Sequence, residues 1–459
     1  MHAPKALKRL SLELGFDSVW RSSLDLKLLI LIRMVRMFAY GGTTIILVLF
    51  LSALGIPDTR IGLFMTMTLV GDIGVSTVLT VVGDGMGVRT TMAMGSLLMM
   101  GSGVAFAFLD GYWWLLLASI VGVINPSANE VDPFKAIEES AIARLSTSSN
   151  CNDFFAWWTL LGMVGMAAST LLTGFTVDLL QIKYGLRPLE VYRLVFLAYA
   201  MVGFVKLICS LCISTQVEME ARSPLSSIVE VNADDDQTPL LSGEEYISYD
   251  AFSERSIPVD GEPAPMFTPE SRSFIWKISL AITPDYIGSG LAQIAWMTYF
   301  FKREYAIDEG SLGLAIFIAS IVASFLNLLS SPMARALGQV PTMVICHTIT
   351  SISLLMISAP NNKTLALGLF MVRIVLREID AAPRQAFIAG GVLDEERTRA
   401  VGCINVVKTV GVCAGLFLTG EFAGVGLFWV AFMVAGGLKL LHNVLIVGFF
   451  WNHRGRYEP

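Results

Sequence analysis

Apolar stretches near 30–54, 61–82, 90–109, 113–134, 155–177 and 191–214 run along the first part of the chain, and six more near 275–300, 310–330, 342–359, 364–389, 402–421 and 425–450 follow. Each approaches the roughly 20 residues that a helix needs to cross a hydrocarbon core. A backbone in lipid must satisfy its polar groups internally, so such stretches form helices. The composition agrees. Hydrophobic residues make up 54% of the 459, and Asp, Glu, Lys and Arg only 15%, against about 25% in soluble domains. That leaves too little charge to cover the surface of a water-soluble enzyme. A net charge of −6 excludes a nucleic-acid binder, which needs a concentrated basic face. Six cysteines and four histidines are too scattered for a disulfide framework or a zinc module. Cys209 and Cys212 form a C-x-x-C inside an apolar run, where buried structural thiols are the plain reading. No metal and no cofactor are expected. No short apolar leader with a cleavage site precedes the first span, so no removable signal peptide is expected.

Between the sixth and seventh spans, residues 215–273 carry Asp234-Asp235-Asp236, Glu244-Glu245 and several prolines and serines. Such a stretch cannot bury enough apolar surface to offset its ordering entropy and reads as a disordered linker. The layout is then a terminal segment 1–29, a six-helix bundle 30–214, the linker 215–273, a second six-helix bundle 274–451 and a tail 452–459. An even number of spans puts both termini and the linker on one side. Lys5, Lys8, Arg9, Arg89, Arg144, Arg335 and Arg397 fall there, while the opposite loops offer chiefly Arg60, Lys183, Arg187, Lys302, Arg303 and Lys363. By the positive-inside rule that side is cytoplasmic. The basic segment Lys5–Leu14, with Leu7, Leu10 and Leu14 on one side, is expected on the cytoplasmic membrane face.

The two halves share marks in the same order. Gly87-Val88-Arg89-Thr90-Thr91-Met92 follows the second span and Gly338-Gln339-Val340-Pro341-Thr342-Met343 the eighth. The fourth and tenth spans each carry charges around a proline, Glu130-Val131-Asp132-Pro133 and Asp380-Ala381-Ala382-Pro383-Arg384. The fifth and eleventh both contain Leu-Thr-Gly, at Leu172–Gly174 and Leu418–Gly420. Together these indicate a duplicated six-helix unit.

This 6+6 layout with a central linker resembles the major facilitator superfamily over nearly the whole chain. Asp84-Gly85-Met86-Gly87-Val88-Arg89 is similar to that family's signature at Asp84, Gly87 and Arg89. It departs at Gly85, Val88 and Thr80, and Arg335 stands where the second half would carry an acid. The resemblance implies two pseudo-symmetric bundles rocking around a central site lined by the first, fourth, seventh and tenth spans. It also implies that Asp84, Gly87 and Arg89 form a gating latch.

A charge at bilayer mid-depth costs about 2.5–3.5 kcal/mol, so such residues face a cavity or a partner. On one continuous helix Arg373, Arg377, Asp380 and Arg384 fall within an arc of about 60°. They form either an ion-pair zipper or a binding wall for an anion, since arginine forks suit carboxylate and phosphate. In the fourth span Asn125, Asn129, Asp132 and Glu139 share an arc of about 80°, with Glu130 pointing away. Pro126 and Pro133 break the ladder there, and Glu138-Glu139 is expected at the headgroups. The first span opens with Arg33 and Arg36, followed by Tyr40, Thr43 and Thr44, and the arginines can snorkel. The seventh offers Asp285, Ser289, Gln293, Trp296 and Tyr299. Lys206, Lys408 and Lys439 read as snorkelling or paired. The substrate candidates are Arg373, Arg377, Arg33, Asn129, Gln293 and Trp296. A carboxylate in low dielectric can exchange a proton near neutrality, so Glu130, Asp132, Asp72, Asp285 and Asp380 are the proton-coupling candidates.

In the linker, Asp236, Leu240 and Leu241 within Asp236-Gln237-Thr238-Pro239-Leu240-Leu241 resemble an acidic dileucine sorting signal that an adaptor would read. The expected membrane is the plasma membrane by default, or the vacuolar or lysosomal membrane where that signal is read. No nucleophile–base pair or phosphate-cradling glycine loop marks an enzyme. The expected function is secondary transport of a small polar, anionic organic solute by alternating access, with proton coupling or exchange, by a monomer among lipids. The alternatives are a proton-driven exporter of amphipathic drugs, for which Trp157, Trp158 and Trp296 would supply an aromatic cavity, and a non-transporting nutrient receptor.

Overall fold

The apolar stretches become helices with defined caps and breaks. The computed structural model describes residues 16–122, 124, 133–147, 150–214, 217, 267–327, 330–359, 362–377, 379 and 381–450. The N-terminal half holds α1 (Phe16–Arg21), α2 (Leu24–Ala53), α3 (Asp58–Met86), α4 (Val88–Phe108), α5 (Tyr112–Val121), α6 (Pro133–Leu145), α7 (Cys151–Tyr184) and α8 (Pro188–Leu211). The C-terminal half holds α9 (Pro269–Leu291), α10 (Ile294–Tyr305), α11 (Glu309–Asn327), α12 (Ser330–Leu337), α13 (Gln339–Met356), α14 (Lys363–Arg377) and α15 (Ala381–Gly390). A 3-10 turn at Asp394–Glu396, α16 (Arg397–Gly424) and α17 (Phe428–Phe450) complete it.

Among the described residues, nine helices are long and apolar enough to cross a membrane. The remaining crossings, the fourth, seventh and tenth, are each broken in two: α5 then α6, α9 then α10, α14 then α15. The chain is therefore an all-α, multi-pass membrane protein with twelve crossings in two six-crossing halves.

Caps move some boundaries away from the apolar edges. Ser23 caps α2, its hydroxyl oxygen accepting the Leu26 N–H at 3.3 Å, so the first span begins at Leu24 with the polar Asp25 and Lys27 inside it. Thr268 caps α9 in the same way, and residues 269–273 are helical rather than linker. Most of the linker, with Asp236, Leu240 and Leu241, and the segment Lys5–Leu14 lie outside the described residues.

The duplication is visible in backbone detail. Gly87 caps α4 at φ 86°, ψ 156°, and Gly338 caps α13 at φ 90°, ψ 159°, a conformation that a Cβ would strain. One turn on, the Thr91 and Thr342 hydroxyls donate to the glycine carbonyls at 2.8 Å in each case. Met92 and Met343 are buried. In each half the first crossing packs on the fifth and sixth, as α2 on α7 and α8 and as α9 on α16 and α17.

The halves meet where α3 crosses α16 and α7 crosses α11. Without a hydrophobic drive between helices in lipid, close approach needs small residues. The two Leu-Thr-Gly glycines supply them. A Cβ on Gly420 would lie 2.7 Å from the Gly62 Cα, and one on Gly174 would lie 2.4 Å from the Glu309 carbonyl oxygen. Polar ties between the halves gather on the side away from the termini. Arg303 donates to Asp58 at 2.7 Å, the Tyr299 hydroxyl donates to Asp58 at 3.0 Å, and the Tyr192 hydroxyl donates to Glu309 at 2.6 Å. The Gly310 N–H donates to Asp178 at 2.9 Å.

Candidate functional site

Each broken crossing frees carbonyls that need partners inside the membrane. Pro133 opens α6, where its missing N–H costs nothing, and Pro383 sits in the first turn of α15. In the seventh crossing Pro284 interrupts the α9 ladder one residue before Asp285, and the helix stops at Leu291. The Thr419 hydroxyl donates to the Leu291 carbonyl at 3.1 Å, and Arg373 Nη2 donates to the Ala292 carbonyl at 2.6 Å. His442 Nδ1 meets the Ala281 carbonyl at 2.7 Å, in the turn before the proline.

Beside this break a cavity of about 330 Å³ lies between the halves. Met37, Met163 and Met166 line it from the N-terminal half; Asp285, Gln293, His347, Arg373, Arg377, Arg384 and Lys439 line it from the C-terminal half. On its wall Asp285, almost wholly buried, takes Lys439 Nζ at 2.5 Å and His347 Nε2 at 3.0 Å on Oδ1, and Arg384 Nη1 at 3.1 Å on Oδ2. Lys439 also donates to the Ser289 hydroxyl oxygen at 2.7 Å. Among the described residues, Arg373, Arg377, Arg384, Lys439 and Asp285 thus bring charge to the border of the space.

The N-terminal half holds a matching node. Arg36 and Glu138 pair at 2.7 Å with both side chains buried, and Lys206 Nζ lies 4.8 Å over the Phe134 ring. Its place corresponds to that of the Asp285 cluster. Gly41 faces the Met166 carbonyl oxygen and Gly290 the Val412 carbonyl oxygen, each at 2.3 Å from an added Cβ. Met166 and Val412 precede the two Leu-Thr-Gly segments by the same step, and Arg36 and Asp285 precede Gly41 and Gly290 by the same step. Lys206 and Lys439 each end a G-x-x-K, Gly203–Lys206 and Gly436–Lys439. The charge at the span-one and span-seven position is inverted between the halves.

The sequence-derived candidates divide. Arg373, Arg377, Gln293 and Asp285 border the cavity. The tenth span is not one continuous helix: α14 ends at Arg377, Ile379 lies in a turn and α15 begins at Ala381, so Arg373, Arg377 and Arg384 reach the same space from two helices. Arg33 does not line the cavity and does not snorkel. Its guanidinium stacks on Trp158 at 4.1 Å, and it is 1% exposed. Arg36 does not snorkel either, since Glu138, expected at the headgroups, is buried against it. Trp296 belongs to an aromatic cluster with Tyr299 and Phe428 rather than to the cavity wall, and Trp157 packs on Phe16. Asp72 is buried with no hydrogen-bond partner for either oxygen among the described residues. Gly87 and Arg89 begin the third crossing. Asn125, Asn129, Glu130, Asp132 and Asp380, and the side chain of Asp84, lie outside the described residues. His347 and His442 are not marked by the sequence, since a single polar residue in an apolar run leaves no periodic signal.

Asp285, His347 and His442 bring ligand atoms within 4.8 Å of one another. Lys439 and Arg384 already occupy the carboxylate, and a divalent cation there would sit against both. The donor set fits an ion-pair network rather than a metal centre.

Residues 278–458 match the model of the Major Facilitator Superfamily. Over 437 residues, 94% of each chain, the sequence is 30% identical to the Saccharomyces cerevisiae protein "Uncharacterized membrane protein YJR124C". The chain belongs to the major facilitator superfamily. Solved superfamily structures share its fold at low identity. The bacterial homologue of the iron transporter ferroportin in its inward-facing state superposes with TM-score 0.68 at 14% identity, covering 94% of this chain and all of that one. The nucleoside transporter NupG gives 0.66 at 12% identity over 93% and 100%. The xylose transporter XylE of E. coli in its inward-open conformation gives 0.62 at 12% identity over 92% and 95%. The superfamily architecture is that of secondary transport by alternating access, with two bundles moving about a site between them.

Proposed function

We propose that this protein moves a small anionic organic solute across its membrane by alternating access, coupled to protons or to exchange. The observation that carries the reading is the cavity wall, where, among the described residues, Arg373, Arg377, Arg384 and Lys439 border the space with the buried carboxylate of Asp285. Guanidinium forks bind carboxylate and phosphate bidentately. Arg377 is the exposed member and the first contact for a solute, while Arg373 keeps one nitrogen on the Ala292 carbonyl. The drug-exporter alternative loses support because Trp157, Trp158 and Trp296 pack elsewhere. Termini on the cytoplasmic side would make the tied face the outer one, and the structure an inward-facing state. The similar structures carry a nucleoside or xylose, or resemble an iron carrier, and so do not choose the solute. A plasma-membrane or vacuolar address, with adaptor reading at Asp236, Leu240 and Leu241, remains part of the same proposal.

The test is a thermal-shift screen of purified protein with lactate, succinate and inorganic phosphate against glucose and tetraphenylphosphonium, with Arg377→Ala alongside. A ligand at a hundredfold excess over its Kd stabilises by about 2.7 kcal/mol. An anion that raises the Tm of wild type and not of Arg377→Ala supports the reading; a shift from tetraphenylphosphonium alone overturns it.

A further inference from the structure

We propose that His347 carries the coupling proton of this transporter, a step that rests on the anion-transport reading above and names its proton site. The ring sits on α13 at the wall of the cavity, 6% exposed. The hydrogen-bond pattern around it sets its protonation state. On one side, the Thr348 hydroxyl spends its proton on the Val344 carbonyl at 2.7 Å, so it accepts from Asn443 Nδ2 at 2.9 Å. That orients the Asn443 carbonyl oxygen toward His347 Nδ1, 2.8 Å away, and Nδ1 must donate. On the other side, Nε2 lies 3.0 Å from Asp285 Oδ1. That contact also needs one proton, on the ring or on the carboxyl.

The neighbours decide which. Lys439 donates to the same Oδ1 and Arg384 to Oδ2, so the carboxylate is ionised and the proton belongs to His347. Among the described residues, Arg373 and Arg377 from α14, Lys408 from α16 and His442 from α17 add to the titratable and charged surroundings. Arg373 and Lys408 act on the cluster through space, and the His442 ring stands 5.0 Å from that of His347. His442 turns Nδ1 to the Ala281 carbonyl instead of to Asp285. His347 is thus an imidazolium with both N–H groups engaged, at the edge of a space that opens to a solute.

The other half of the duplication sharpens the point. Ser96 stands after Gly87 as His347 stands after Gly338, and Ser210 lies one turn after Lys206 as Asn443 lies one turn after Lys439. Ser96 and Ser210 meet at 3.4 Å, the counterpart of the His347–Asn443 contact. The N-terminal half has two hydroxyls where the C-terminal half has an ionisable ring.

The coupling follows from the geometry. With its proton, His347 adds positive charge to the wall that receives the anion. On the release side the Nε2–H bond breaks, the electron pair stays on nitrogen, and the proton passes to cavity water. The bare Nε2 lone pair then faces Asp285 Oδ1, and the two repel. The carboxylate turns wholly onto Lys439 and Arg384, which the anion loses as partners. Proton and anion leave together, and reprotonation on the opposite side restores the receptive wall. Asp72 is the rival proton carrier, but it does not border the cavity.

The ring state is read by NMR on full-length protein with 15N-labelled histidine rings in phosphatidylcholine nanodiscs, His347→Gln identifying the signal. Two protonated ring nitrogens at pH 7 are expected; a neutral ring with one proton overturns the proposal whatever the solute. Coupling is read in phosphatidylcholine–phosphatidylglycerol vesicles containing pyranine, with lactate, succinate and inorganic phosphate as probes. A gradient of one pH unit supports about tenfold accumulation per proton, and wild type should approach that with an anion it accepts. His347→Gln should lose the proton signal and carry the anion only down its own gradient. Proton movement that survives His347→Gln and disappears in Asp72→Asn overturns the assignment to His347. Failure of all three anions in wild type strikes the anion reading instead, and the ring measurement still decides His347.

Discussion

Lys206 and Lys439 stand at the same position in the two halves, yet one ammonium lies over the Phe134 ring and the other on the carboxylate of Asp285. In the N-terminal half the carboxylate of Glu138 is already taken by Arg36. Lys206→Met therefore removes a desolvated cation without orphaning an acid, and the stability should stay within about 1 kcal/mol of wild type. Lys439→Met takes a charged donor from a buried carboxylate and should cost about 1.5–3 kcal/mol. Equal losses in the two variants, measured by thermal unfolding in one detergent, would show that the nodes are energetically alike.

The crossing of α3 and α16 makes a second prediction. Gly420→Ala places a methyl 2.7 Å from the Gly62 Cα and 2.8 Å from the Asp58 carbonyl oxygen, both backbone atoms that cannot rotate away. It should destabilise by about 1–3 kcal/mol and loosen the face tied by Asp58 and Arg303, seen as faster hydrogen exchange in α10. Gly437→Ala is the control. Nothing lies within 4 Å of its added Cβ, so it should be neutral or slightly stabilising. A harmless Gly420→Ala would mean that the helices are not in contact there.

Outside the membrane, Glu396 joins the entrances of the seventh and eleventh crossings. Its Oε1 accepts the Thr268 N–H at 2.7 Å and its Oε2 the Thr268 hydroxyl at 3.2 Å. The Ser271 hydroxyl, and then these two donors with Arg399, hold its carboxyl below the ordinary 4.5 against slight desolvation. A depressed carboxylate contributes stability that is present above its ordinary value and is lost as pH falls through the lowered one. Glu396→Gln should melt below wild type at pH 7, and the gap should close as the pH drops beneath 4.5. A gap that persists in acid would point to packing, not charge.

The number of crossings and the two-fold repeat could be read from the sequence because both are local: the length of an apolar run, a glycine that must take positive φ at 87 and 338, a threonine one turn on. Arg373, Arg377 and Asp285 could be suspected because charge is expensive in lipid wherever it points. What each charge meets could not be read. Arg36 finds Glu138 across 102 positions and Lys439 finds Asp285 across 154, and no spacing rule links residues that far apart. Arg33 and Arg373 are both arginines within apolar runs, and the fold gave one to an indole and the other to a cavity.

The sequence by itself determined that this chain crosses a membrane repeatedly as a doubled unit, since hydrophobic length and small-residue marks act through neighbouring residues alone. Only the tertiary structure decided that His347 has an acceptor on each side of its ring, because that state is imposed by Asn443, Asp285, Lys439 and Arg384, brought together from three other helices by packing.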